Sequence, residues 1–109
     1  MSGYRLSGPA TNDLTGIREY LVNEADVPVA RYVLRELREA MRFLGKWPDA
    51  GHRRQDLTDE PLKFWPVFSY LIIYDPSPEP IEVVRVLRGA RDVTAILDDA
   101  DGEDDSGEP

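Results

Sequence analysis

Apolar and polar residues alternate over Tyr4-Arg5-Leu6, which predicts a short strand with Tyr4 and Leu6 on one face. Ser7 reads as an N-cap and Pro9 as a first-turn residue. Beyond them Ala10, Leu14, Ile17 and Leu21 recur at steps of four, three and four, the spacing of one helix face. A first helix is expected to run to Asn23 or Glu24, weakened at Gly16. After a short turn, Asp26 suits an N-cap and Pro28 a first-turn position. The second helix is expected from Val27 to Gly45 or Trp47. Its stripe of Ala30, Val33, Leu34, Leu37, Ala40, Met41 and Leu44 covers roughly 120° of the helix wheel, the width of a core-facing face. Two such helices joined by a short loop predict an antiparallel hairpin. Trp47-Pro48 ends it, because the residue before proline disfavours the α region.

A polar loop follows from Asp49 to Pro61. Leu62 to Val67 then alternates as a strand, with Leu62, Phe64 and Pro66 on one face; Pro66 predicts an edge strand or a strand end. Tyr70-Leu71-Ile72-Ile73-Tyr74 is apolar throughout, as a central strand is. The aromatics Phe64, Trp65, Phe68, Tyr70 and Tyr74 are expected in the core, since only Lys63 interleaves them. Asp75 to Pro80 is dense in turn residues. Ile81 to Arg88 is rich in β-branched residues and is broken by Gly89. Asp92 can cap a short helix in which Val93, Ile96 and Leu97 pack back. The expected fold class is α+β: N-terminal strand, antiparallel helical hairpin, three-stranded antiparallel meander and short C-terminal helix. The helices would lie on one sheet face and leave the other partly open.

Composition bounds the function. A length of 109 residues argues for one domain with a real core. There is no cysteine, hence no disulfide and no thiolate site, and the single His52 cannot build a multi-histidine metal centre. Neither a metal nor a cofactor is expected. No apolar run is long enough for a membrane span and Met1 to Ser7 has no apolar signal region, so a soluble cytoplasmic protein is expected. The net charge of −8 is concentrated at one end. Residues 98–109 carry seven of the 21 acids and no base, which leaves 14 acids against 13 bases in residues 1–97. The chain therefore divides into a folded domain, 1–97, and an acidic tail, 98–109, whose composition predicts disorder. The tail either only solubilises or shades a basic site on its own domain.

Two groups of cations stand out. Arg31, Arg35, Arg38, Arg42 and Lys46 fall within about 80° of one another on the second helix, opposite its apolar stripe. Such a ridge is either a solvated, salt-bridged face or a contact for an acidic partner or nucleic acid. Arg85, Arg88 and Arg91 recur across the last strand and its exit. Alternation puts Arg85 with Ile81, Val83 and Leu87, so it is either a target contact or a structural arginine paired with Asp13 or Asp92. His52 reads as a solvated loop residue; as a general base it would need a partner.

The order of elements, with these residues, resembles the RelE/ParE superfamily of type II toxins, the ParE branch most closely. The resemblance covers about Tyr4 to Leu97. It rests on Tyr4-Arg5-Leu6-Ser7 leading to Asp13-Leu14 and Ile17, on Phe43-Leu44 and Trp47-Pro48, and on Gly51, Arg54 and Asp56. Tyr70 to Tyr74 follow, and the most specific block is Val84-Arg85-Val86-Leu87-Arg88-Gly89-Ala90-Arg91-Asp92. RelE-like members cut messenger RNA in the ribosome; ParE-like members poison DNA gyrase. Both are silenced by an antitoxin whose C-terminal segment folds on the toxin. In ribonuclease members an arginine commonly follows the aromatic that ends the central strand, and a tyrosine lies beyond the glycine-x-arginine turn. Here those places hold Asp75 and Leu97.

The resemblance thus implies a plasmid-stabilisation type of toxin that is not an enzyme. It would inhibit DNA gyrase and be neutralised by a ParD-like antitoxin in a hetero-oligomer. Arg85, Arg88 and Arg91 are the expected target contacts. Leu14, Ile17, Leu34, Leu37, Arg38 and Met41 are the expected antitoxin contacts, and no residue is expected to be catalytic. The alternatives are a ribosome-dependent endoribonuclease and a non-toxic module that only binds an antitoxin.

Overall fold

A computed structural model describes residues 3–89, 93, 96 and 97. In chain order the elements are β1 (Tyr4–Leu6), α1 (Gly8–Glu24), α2 (Val27–Lys46), β2 (His52–Arg53), β3 (Lys63–Val67), β4 (Tyr70–Asp75) and β5 (Ile81–Arg88). They form one five-stranded sheet in the order β1-β5-β4-β3-β2. β1 runs parallel to β5, and the other neighbours are antiparallel. The expected strand, hairpin and meander are all present. The sequence pattern missed β2, because a two-residue strand of His52 and Arg53 has no apolar alternation to reveal it.

Local chemistry places the helices. The Ser7 hydroxyl accepts the Ala10 N–H at 3.0 Å as the N-cap of α1 and donates to the Val84 carbonyl at 2.7 Å. The Ser7 N–H donates to the Val83 carbonyl at 3.0 Å, so one residue both extends the β1–β5 ladder and starts the helix. Asp26 caps α2 by accepting the Val29 N–H at 2.9 Å. Ala30, Leu34, Leu37, Met41 and Leu44 of α2 are buried with Ala10 and Ile17 of α1. All but Ala30 meet Tyr70, Ile72, Tyr74, Ile81, Val83 and Val86 of the sheet in one core cluster.

The second sheet face, expected to be left partly open, carries a smaller core of its own. Phe64, Ile73 and Leu87 lie in a second buried cluster with Leu57 and Leu62 from the loop before β3 and with Val93. Ile96 and Leu97 pack on it, and Val93, Ile96 and Leu97 have helical backbone, in keeping with the predicted C-terminal turn. A long loop with two leucines spaced five apart can cover a sheet face without being a regular element, and periodicity does not detect it.

The alternation on β5 also departs from the expectation. Ile73 pairs with Arg85 while Tyr74 pairs with Val83, so β5 carries one extra residue at this step, a β-bulge. Before the bulge Ile81 and Val83 face the helices; after it Val86 does, and Leu87 faces the second cluster. Arg85 and Leu87 therefore do not share a side with Ile81 and Val83. Pro66 sits where β3 has no outer neighbour, since β2 pairs only with Lys63 and Phe64, and this confirms the edge position.

Candidate functional site

Arg88 ends β5 opposite Tyr70. Its guanidinium lies 5.1 Å from the centroid of the Tyr20 ring on α1, a cation–π contact. With Asn12, Asp13, Ile17 and Tyr70 these residues line a cleft of about 280 Å³ between α1 and the sheet end. Burial pushes the Tyr70 phenol above its usual range, an effect the Arg88 charge partly opposes. Tyr70 is therefore a neutral hydrogen-bond donor near neutral pH.

Arg85 is placed differently. Its Nε and a terminal nitrogen each donate to Asp13 at 2.8 Å, and the pair is only 24% and 13% exposed. The hydrogen bonds to Asp13, ahead of a smaller desolvation cost, hold the Arg85 guanidinium above its ordinary pKa. Of the two partners open to Arg85, Asp13 is the one found. Arg85 is thus committed inside the fold rather than presented at the surface. Arg91 and Asp92 lie outside the described residues, as does the acidic tail.

The positions expected to meet an antitoxin divide sharply. Leu37 and Met41 are fully buried and Leu34 nearly so, all against the sheet. These three hold α2 to the sheet; Leu37 and Met41 have no surface to offer, and Leu34 shows only a sliver. Leu14 is half-buried in the same cluster, Ile17 shows only through the Arg88 cleft, and Arg38 is exposed. The apolar stripe was legible, but the same stripe cannot both form the core and face a partner.

What the surface does offer is aromatic. Tyr32, Phe43, Trp47 and Phe68 are 48%, 42%, 56% and 59% exposed. Tyr32 meets Phe68 at a ring separation of 5.9 Å, and Phe43 meets Trp65 at 5.4 Å. Between α2 and β3 a groove of about 330 Å³ is lined by Ala40, Phe43, Trp65, Pro66 and Val67, with Glu36 and Glu39 at its margin. Phe68 was expected in the core, but it occupies the β3–β4 turn with a φ of +56°. That conformation costs a phenylalanine about 1–2 kcal/mol, where glycine or asparagine would adopt it more readily. A signal for this surface was present: Tyr32 and Phe43 stand on the second helix outside its apolar stripe.

The basic ridge is exposed along α2, and one of its expected pairings forms, Arg42 to Glu39 at 2.8 Å. The Arg35 guanidinium lies 5.7 Å over Tyr32 instead of meeting Glu39. Arg54 and Asp56 clip the loop to itself through two hydrogen bonds. His52 is exposed on β2, at the far edge of the sheet from β5. Asp75 stands at the opposite end of β4 from Tyr70 and faces Glu82, so it does not share a site with Arg88. Among the described residues no group of three or more His, Cys, Asp or Glu side chains is placed to hold a metal. No helix among them is long and apolar enough to cross a membrane.

Comparison with known proteins gives this architecture a context. A family model for the ParE toxin of the type II toxin–antitoxin system parDE matches residues 4–93. Among solved structures, the chromosomal ParDE TA system from P. aeruginosa is similar with a TM-score of 0.70 and 15% identity. The match covers 82% of this chain and 97% of that one, a likeness of fold. No curated protein matches the sequence.

Proposed function

The chain belongs to the ParE toxin family of type II toxin–antitoxin systems, and on that premise we propose that it arrests growth by binding DNA gyrase and is silenced by a cognate antitoxin. The reading is of a binder, not a nuclease. The observation that carries it is the separation of His52 from Arg88. Two strands, β3 and β4, stand between theirs, so at ~4.8 Å per strand spacing they are at least about 14 Å apart. A general base must come within hydrogen-bond reach of the proton it takes, directly or through one water. Asp13, the carboxylate lining the Arg88 cleft, is occupied by Arg85 and by the Val86 N–H. Tyr70 keeps its proton. Among the described residues, those lining the Arg88 cleft offer a phosphate no free base.

Arg88, and Arg91 beyond it, are then the target contacts of this proposal. The antitoxin segment covers the aromatic face of Tyr32, Phe43, Trp65 and Phe68, where large rings stand exposed beside Arg35. Exposed aromatics grouped around a groove are the usual anchors of a protein interface. Purified chain added to gyrase should stop supercoiling and trap cleaved DNA, and expression should arrest growth with transcripts intact. Cut transcripts with unimpaired gyrase would replace this reading with the ribonuclease one. Growth unaffected in the absence of antitoxin would leave only a binding module.

A further inference from the structure

A second cleft lies on the helical hairpin. It is lined by Arg18 and Val22 of α1 and by Val27, Ala30, Arg31, Leu34 and Arg38 of α2, and encloses about 160 Å³. Three arginines converge on it and no carboxylate lines it. Elsewhere Arg42 pairs with Glu39, Arg54 with Asp56, and Arg35 and Arg88 lie over tyrosines, while Arg5, Lys46 and Arg53 are exposed cations that do not line this cleft. Among the described residues Arg18, Arg31 and Arg38 make no ion pair. A concentration of one sign of charge in a concave, part-apolar site focuses the field and favours an anionic occupant.

We propose that this cleft binds a carboxylate-rich peptide, and that in the free protein the occupant is the chain's own segment 98–109. Seven of its 12 residues are acidic; the rest, apart from Pro109, are alanine, glycine and serine, small enough for a narrow cleft. The segment starts from a suitable place. Leu97 lines a surface hollow with Ser7 and Pro9, at the beginning of α1. Arg18 is nine residues beyond Pro9, about 14 Å along the helix. Twelve extended residues span about 40 Å, and the six from Asp98 to Glu103 about 20 Å, so the carboxylates from Glu103 onward reach the cleft. Tethering raises the effective concentration of these carboxylates to about the millimolar range, enough for a weak ionic contact to persist. Nucleic acid fits less well, because the tethered carboxylates of 98–109 repel a polyanion approaching the cleft they would occupy. The site would admit a partner's acidic segment only by displacing this one.

The absence of cysteine makes the test direct. A nitroxide attached to Ser106→Cys in the full chain should broaden the amide signals of Arg18, Arg31 and Arg38 at about 50 mM salt. The broadening should vanish at about 0.5 M salt, where ionic contacts are screened over a few ångströms. It should also vanish in the Arg18→Gln/Arg31→Gln/Arg38→Gln variant, whose fold is checked by circular dichroism. A full-length variant with the seven tail carboxylates converted to amides should bind a synthetic 98–109 peptide at the same three residues. Broadening centred on Arg53 and Arg54, broadening that survives the triple substitution, or none at all would overturn the proposal. So would a short DNA duplex that displaces the label at lower concentration than the peptide does, which would assign the cleft to nucleic acid. None of these readouts depends on whether gyrase is the toxin's target.

Discussion

Asp13 of α1 grips Arg85 of β5 through two hydrogen bonds of 2.8 Å, and its Oδ2 also accepts the Val86 N–H at 3.0 Å. The third bond explains the other two. β1 pairs with β5 only as far as Leu6 and Val83, so the next edge N–H would lack a partner. Ser7 and Asp13 take over from the strand, Ser7 at the Val84 carbonyl and Asp13 at the Val86 N–H. Arg85 then neutralises the carboxylate that the edge requires. Asp13→Ala should cost about 2–4 kcal/mol in urea unfolding, since it strands both a largely buried guanidinium and a strand N–H. Arg85→Lys should cost less but measurably, because a lysine cannot reproduce the two-pronged contact. A loss below ~0.5 kcal/mol for Asp13→Ala, the range of an exposed pair, would refute this role.

Tyr74 ties the loop after α2 to the central strand. Its hydroxyl donates to the Pro48 carbonyl at 2.7 Å and accepts the Gly51 N–H at 2.9 Å. A Cβ at Gly51 would stand 2.5 Å from that hydroxyl, so only glycine allows the approach. Gly51→Ala should destabilise by about 1–3 kcal/mol, the usual cost of overpacking. In a Tyr74→Phe background the same substitution should cost less, and a double-mutant cycle measures the difference.

Alkaline pH should weaken the fold through the same tyrosine. Burial raises the Tyr74 phenol above its ordinary value of 10.0, as it does Tyr70. A pKa raised in the folded state leaves stability intact below the unfolded value. Stability then falls as pH rises from about 10 through the raised folded value, because the unfolded chain ionises first. Urea midpoints should be level from pH 8 to about 9.5 and decline above 10. Tyr74→Phe should flatten that decline. In absorbance titration, Tyr70 and Tyr74 should ionise above the ordinary tyrosine value.

The aromatic face and the buried stripe should separate in mutagenesis. Phe68→Asn should change stability by less than about 1 kcal/mol, since its ring is mostly exposed, and Phe43→Ser, whose ring packs on Trp65, by about 1–2 kcal/mol. Asparagine in addition tolerates the positive φ at position 68. Each should weaken antitoxin binding at least about tenfold by calorimetry, the loss of one interface anchor. Leu37→Ala should instead lower the unfolding free energy by about 2–5 kcal/mol, because it opens a cavity in the core.

Arg88→Ala should reduce growth arrest and gyrase inhibition together, with the unfolding midpoint little changed. His52→Ala should leave both activities intact. Loss of toxicity on changing His52, with Arg88 dispensable, would favour transcript cleavage.

Much of the fold was legible because its signals are local. The caps Ser7 and Asp26, the two apolar stripes and the β-branched strand each announce an element without reference to any other. The site was legible only in outline. The Asp13 option for Arg85 could be named in advance, whereas Phe68 was taken for core. Phe68 looks apolar in sequence, and only the turn it occupies turns its ring outward.

The sequence by itself determined the elements other than β2, their order, the near balance of charge in residues 1–97 and the acidity concentrated in 98–109, all of which depend on neighbours along the chain. The tertiary structure alone decided which residues meet. It set the parallel pairing of β1 with β5, the bulge that divides Arg85 from Ile81 and Val83, and the covering of the second sheet face by Leu57, Leu62 and Val93. It also separated His52 from Arg88 by the width of the sheet and brought Arg18 to the cleft beside Arg31 and Arg38. Contacts between residues far apart in sequence depend on strand order and helix crossing, and periodicity carries no record of either.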